Sequence, residues 1–234
     1  MYFEPGNSKL VLKSEFKVLI IGFSVTADFK NGFYQKILKK ISPESNFVFD
    51  AVGIGGIHPN NLVYLFDELI SRGYDHVVLE VSTSSFRNLF KNEIDLIWPL
   101  VYMLDMICLS KISASVLHLY RRDVDYSKDR YLELVRLLLV FYGFPELDVG
   151  RMVNDRGLAD CLLVDEVHVN FDGACFYSEA ICDFISNISF NSTASGFPLV
   201  FDEPVFGHIR PSESELAGQS DNTFWRSGYQ CKYF

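Results

Sequence analysis

The sequence predicts a three-layer α/β/α sandwich built on a central parallel sheet, followed by a short β-rich C-terminal extension. Three observations carry this reading. Short apolar runs alternate with amphipathic segments in a βαβ rhythm. The runs are apolar on both faces, as strands buried inside a parallel sheet are. From about residue 187 the composition turns to Ser, Gly, Pro and aromatics with no helical period. The chain therefore divides into an α/β domain over 1–187 and an extension over 188–234, the latter too short to hold a core of its own.

The elements follow in order. Lys17–Gly22 (KVLIIG) is a doubly apolar strand. A helix comes next, with Phe33, Tyr34, Ile37, Leu38 and Ile41 on one face and Lys36, Lys39 and Lys40 toward its negative end. Asn46–Val52 is the second strand. Asn60–Arg72 is a helix with Leu62, Leu65, Phe66 and Leu69 at helical spacing, closed by Gly73. His76–Val81 is the third strand, and a largely helical stretch runs on through about Cys108. Ser113–Leu119 is the fourth strand. Asp129–Tyr142 is a helix ended by Gly143, and a short strand sits at Glu146–Val149. The last helix covers Gly173 to Ser186, with Phe176, Tyr177, Ala180, Ile181 and Phe184 inward. The extension carries apolar runs at Phe197–Phe201, Val205–Ile209 and Thr223–Trp225, which read as an added edge or the start of a β-domain.

Composition narrows the function. The 234 residues are 49% hydrophobic and 22% charged, a globular balance. Lys and Arg number 21 against 30 Asp and Glu, a net charge of −9, which argues against a nucleic-acid partner. Residues 1–16 hold no apolar core, so no secretory signal is expected. The most apolar stretches, Ile94–Leu109 and Leu132–Phe144, are broken by charges and Pro99, so no membrane span is expected. The five cysteines (Cys108, Cys161, Cys175, Cys182, Cys231) form no CxxC and read as reduced, mostly buried thiols in a cytoplasmic protein. Nothing in the sequence sets the oligomeric state.

Ligands of a parallel α/β sheet collect beyond the carboxyl ends of its strands. Gly22-Phe23-Ser24-Val25-Thr26 follows the first strand, Gly53-Ile54-Gly55-Gly56 the second and Ser82-Thr83-Ser84-Ser85 the third; Asp165-Glu166-Val167-His168 precedes the last helix. Each alone has a plain reading. The serine is an N-cap, the glycines are a turn, and the Asp/His pair is surface or at most half a metal site. Together they match acyl transfer. A serine hydroxyl needs a base to take its proton. His168 can do so when a carboxylate such as Asp165 holds its other ring nitrogen. The oxyanion then needs donors, for which the Ser24 and Gly56 N–H groups and the Ser84 hydroxyl are candidates. No metal and no cofactor is expected.

In these residues the chain resembles the SGNH (GDSL-type) hydrolase superfamily. Gly22-Phe23-Ser24-Val25-Thr26 is similar to its first block, Val52–Gly56 to the second, Val77–Ser85 to the third and Asp165–Gly173 to the fifth. The resemblance covers about Lys17–Ser186. It implies a flavodoxin-like α/β/α fold, a Ser24, His168 and Asp165 catalytic trio, and Gly56 at the oxyanion. Phe23 stands where the family has Asp, Ser82 where it has Gly, and Ser84 where it has Asn. The Ser84 change puts one oxyanion donor in question.

The resemblance points first to a serine esterase acting on small acyl esters, with acetyl on a carbohydrate as the favoured case. An O-acetyltransferase using the same trio is the second reading, and a non-catalytic carbohydrate-binding module on the same scaffold is the third. The partner in each case is a small-molecule or glycan ester. Among other residues, His58 is a candidate substrate contact and Glu80, inside an apolar strand, a candidate for hydrogen bonding near the site. His118 reads as a buried core histidine; His76 and His208 read as structural or exposed. Arg87, Arg121 and Arg122 read as a solvated face in preference to an anion site. Cys161 and Cys175 read as packed, against a Cys–His pair.

Overall fold

A computed structural model describes residues 15–28, 32–40, 46–57, 59–84 and 93–188. The elements in chain order are β1 (Phe16–Gly22), α1 (Ser24–Ala27), α2 (Phe33–Lys40), β2 (Phe47–Gly53), a 3-10 turn (Pro59–Leu62), α3 (Val63–Ser71), β3 (His76–Glu80), α4 (Glu93–Ser110), β4 (Ser113–His118), α5 (Arg130–Tyr142), β5 (Glu146–Asp148), α6 (Val149–Asp155), α7 (Ala159–Leu162) and α8 (Phe171–Asn187). The five strands form one all-parallel sheet in the order β2-β1-β3-β4-β5. The expected strands and major helices are present, with ends moved by a residue or two. The short helices α6 and α7 were not anticipated: seven and four residues give too little periodicity to read. The extension lies outside the described residues beyond Ile188, as do Cys231 and His208.

The double apolarity of the central strands has its cause in two cores. Val18 and Ile20 of β1 and Val78 of β3 pack on one face with Val153 of α6 and Tyr177, Ile181 and Ile185 of α8. Leu19 and Ile21, with Val77 and Leu79, face the opposite layer of α3, α4 and α5. Alternate residues point to opposite sides, so a strand covered on both sides must be apolar throughout. Val18, Leu19 and Ile20 are fully buried.

The helix ends obey local chemistry. Asp129 caps α5 by accepting the Leu132 N–H, and Gly143 ends it in the left-handed region at φ 73°. Asn170 caps α8 by accepting the Gly173 N–H at 2.9 Å. His76 is fully buried in β3, where its ring nitrogens meet the Ser113 and Ser115 hydroxyls at 2.8 and 2.9 Å. It is structural. His118 is fully buried, as expected. Cys161 departs from expectation: it is exposed, because Leu162 is the inward residue of its four-residue helix.

Candidate active site

All five strands run the same way, so their carboxyl ends share one edge of the sheet. The first arrives through Gly22, where a Cβ would lie 2.3 Å from Thr26 Oγ1 and 2.8 Å from Glu80 Cβ. Only glycine lets the chain turn this close to its neighbours. Ser24 then opens the short α1, with Phe23 at the N-cap and the Ala27 N–H bonded to the Phe23 carbonyl at 2.8 Å. Ser24 is the first helical residue and not the cap. Gly53, at the end of β2, touches the other side of α1: a Cβ there would lie 2.1 Å from the Ala27 nitrogen. Gly55 and Gly56 then form a turn, with Gly56 exposed at φ 69°. His58 lies outside the described residues. Among the described residues no hydrogen bond engages the hydroxyl or N–H of Ser24, or the N–H of Gly56.

The third strand ends on Glu80, whose side chain is fully buried. Its Oε1 accepts the Ser82 N–H (2.8 Å), the Thr83 N–H (2.9 Å) and the Ser82 hydroxyl (3.1 Å). Its Oε2 accepts the Thr83 hydroxyl (2.7 Å) and the Phe23 N–H (3.2 Å). Burial pushes the Glu80 carboxyl up, against the opposing pull of the donors from Thr83, Ser82 and Phe23. The expected hydrogen-bonding role is thus fulfilled, toward the loops rather than toward open space. Ser84 is buried, and its hydroxyl donates to the Ile57 carbonyl at 3.0 Å. That bond stitches the third loop to the second and aims the Ser84 proton at a backbone oxygen.

Beyond β4, Arg121 departs from the solvated face expected of it, while Arg122 is exposed as expected but holds defined partners. Arg121 is buried; its guanidinium donates to the Thr83 carbonyl at 2.6 Å and pairs with Asp123. Arg122 grips the segment before α8. Its N–H donates to the Glu166 carbonyl (2.9 Å), its Nε to the Asp165 carbonyl (3.1 Å), and its terminal nitrogens to Asp160 and to the Ala159 carbonyl. Two adjacent arginines soon after a central strand were the available signal; apart from Asp123, their partners are distant along the chain and could not be read from spacing.

The gripped segment is a small closed loop. Leu163 bridges Val169, and the Val164 N–H donates to the His168 carbonyl at 2.9 Å. Inside it, Asp165 Oδ1 accepts the N–H groups of Val167 (2.8 Å) and His168 (2.7 Å), and Oδ2 lies 2.8 Å from His168 Nδ1. Burial alone would raise the Asp165 carboxyl, but the Val167 and His168 donors outweigh it and hold the carboxyl below its ordinary range. An ionised Asp165 keeps the proton on Nδ1 and leaves Nε2 as the basic nitrogen. The structure thus joins Asp165 to His168 and anchors their loop, through Arg122, beyond the carboxyl end of β4. No hydrogen bond links Ser24 to His168 among the described residues. Nor do those residues contain a His, Cys, Asp and Glu group able to hold a metal ion.

No protein-family model and no curated protein matches the sequence. Solved structures do match. An acetylxylan esterase from Geobacillus stearothermophilus superimposes with a TM-score of 0.61 over 76% of this chain and 98% of its own, at 15% identity. A psychrotrophic esterase from Pseudoalteromonas sp. gives 0.60 over 74% and 97%, at 16% identity. A lipolytic protein of the G-D-S-L family from Veillonella parvula gives 0.58 over 74% and 100%, at 13% identity. The chain has the GDSL-type (SGNH) hydrolase fold. The match spans 97–100% of the length of these three neighbours. Among the described residues no helix is long and apolar enough to cross a membrane.

Proposed function

We propose that this SGNH-fold chain is a serine esterase that cleaves small acyl esters, an acetyl group on a carbohydrate being the first substrate to try. The observation that carries the reading is the 2.8 Å pairing of His168 Nδ1 with an Asp165 carboxylate held by two further N–H donors. Such a pairing orients an imidazole as a base. It occurs beside α8, in a fold whose neighbours include an acetylxylan esterase.

The mechanism has two halves. The Ser24 hydroxyl attacks the acyl carbon while His168 Nε2 takes its proton. The tetrahedral oxyanion rests on the Ser24 and Gly56 N–H groups, each worth about 10²–10³ in rate when aimed at the developing charge. The carbon–oxygen bond then breaks, and the alcohol leaves with the proton from His168. Water attacks acyl-Ser24, giving its proton to His168; the acid departs and Ser24 regains its hydrogen. Contact between Ser24 and His168 forms with substrate in place, since catalytic hydrogen bonds often tighten only in the complex. Asp165 stays ionised throughout.

Hydrolysis is favoured over transfer to a sugar hydroxyl because the side chains of His168 and Asp165 are 38% and 52% exposed. Water reaches such a base freely, and a transferase must exclude it. The test is turnover of p-nitrophenyl acetate and of acetylated xylo-oligosaccharides, with and without free sugar. Acetate release that is lost in Ser24→Ala and His168→Ala supports the reading. Acetyl appearing on the sugar replaces it with the transferase. Retained sugar binding without any turnover replaces it with the binding module.

A further inference from the structure

A carboxylate buried at the end of β3 is expensive unless its partners repay the lost solvation. Among the described residues Glu80 faces three backbone N–H groups, the Thr83 hydroxyl, and the Ser82 hydroxyl at 3.1 Å, whose one proton is shared with the Leu119 carbonyl at 3.0 Å. They come from two separate strand ends, Phe23 beyond β1 and Ser82 and Thr83 beyond β3. Two further bonds extend the assembly to β4. The Ser82 hydroxyl accepts the Leu119 N–H at 2.7 Å, and the Thr83 carbonyl accepts the Arg121 guanidinium at 2.6 Å. The next residue, Arg122, grips the loop carrying Asp165 and His168.

From this we infer that Glu80 is the positioning residue that fixes the Ser24 turn against the His168 loop, by holding the Phe23 N–H on one oxygen and the Ser82–Thr83 backbone on the other. The inference rests on the esterase reading for its effect on rate, and on the hydrogen bonds alone for its effect on the turn. The requirement is for a carboxylate. A glutamine offers one oxygen, and whichever way its amide turns, an NH2 group faces at least one backbone N–H that has no other acceptor in this network. The neutral side chain must therefore release either Phe23 or the Ser82–Thr83 loop. Aspartate keeps two acceptors on a shorter stem and restores part of the geometry.

The experiment compares the full-length wild type with Glu80→Gln and Glu80→Asp, each checked for folding by circular dichroism. For p-nitrophenyl acetate, Glu80→Gln lowers kcat by about 10- to 100-fold with KM within about threefold, the cost expected of a misplaced nucleophile. Glu80→Asp recovers part of that loss. Amide hydrogen exchange gives the second readout. The Phe23 N–H is protected in the wild type and exchanges about tenfold faster or more in Glu80→Gln, while Leu19 and Ile21 are unchanged. Wild-type kcat in Glu80→Gln, or a Phe23 amide that exchanges freely in the wild type, overturns the inference. Should the glutamine variant fail to fold, Phe23 protection in the wild type decides. Should the wild type show no turnover, the esterase reading falls and the exchange data still judge Glu80.

Discussion

Asp165 holds His168 at two points, accepting its backbone N–H at 2.7 Å on one carboxylate oxygen and facing its Nδ1 at 2.8 Å with the other. Side chain and main chain of the imidazole are thereby fixed by a single group three residues away. Asp165→Asn keeps the shape but presents an amide where an acceptor is needed, and favours the wrong ring tautomer. By analogy with other triads, kcat for an aryl acetate should fall by about 10³–10⁴ with little change in KM. A loss under tenfold would remove Asp165 from the reaction.

The Ser84 hydroxyl faces the Ile57 carbonyl. The sequence resemblance puts Ser84 at an oxyanion-donor position, and its hydroxyl donates to this carbonyl. Ser84→Ala should therefore lower kcat by less than about tenfold and cost about 1 kcal/mol of stability through the lost hydrogen bond. His168→Ala should cost far more. A Ser84→Ala loss of about 10²–10³ would restore Ser84 as an oxyanion donor that turns on binding.

Gly53 is the floor on which α1 rests. A methyl group there would meet backbone atoms of Thr26 and Ala27 at 2.1 to 2.5 Å, and backbone cannot rotate aside as a side chain can. Gly53→Ala should destabilise the protein by about 3 kcal/mol in urea melts, and any folded fraction should react slowly at Ser24. A variant of wild-type stability and rate would mean that α1 does not pack on β2 as described.

His76 sets a pH dependence of stability separate from the chemistry. Burial lowers its pKa to about 4, so the folded protein keeps it neutral. The unfolded chain takes up a proton near pH 6.5, and stability therefore falls as the pH drops from about 6.5 to about 4. Glu80, pushed the other way by burial, works in the opposite sense. A difference measurement isolates the histidine. Between pH 7 and pH 5 the wild type should lose about 2 kcal/mol more unfolding free energy than His76→Phe. Parallel profiles for the two proteins would contradict this.

The parts of the molecule that could be read from the sequence share a physical feature: their determinants are local or periodic. The β1 and β3 strands are doubly apolar because both faces are covered. The Asp165–His168 pair was legible because two residues three positions apart in one short loop must lie near each other. What the sequence hid depends on partners distant along the chain. Ser84 reads as a candidate oxyanion donor, and its hydrogen bond to Ile57, 27 residues away, is invisible to spacing. The burial of Arg121 and the backbone partners of the exposed Arg122 depend on Thr83, Asp165 and Glu166, which reach them only in the folded sheet. Glu80 announced itself by being a charge in an apolar strand, but the spread of its donors over two strand ends needed coordinates.

Covalent modification reports directly whether Ser24 is an activated nucleophile. The full-length protein, its Ser24→Ala variant and its His168→Ala variant are treated with a fluorophosphonate and measured by intact mass, followed by peptide mapping. The expected result is one phosphonyl adduct on the wild type, mapped to Ser24, none on Ser24→Ala, and labelling slowed by about 10³ or more in His168→Ala. A wild type that stays unmodified, or an adduct on another residue that survives Ser24→Ala, would contradict it.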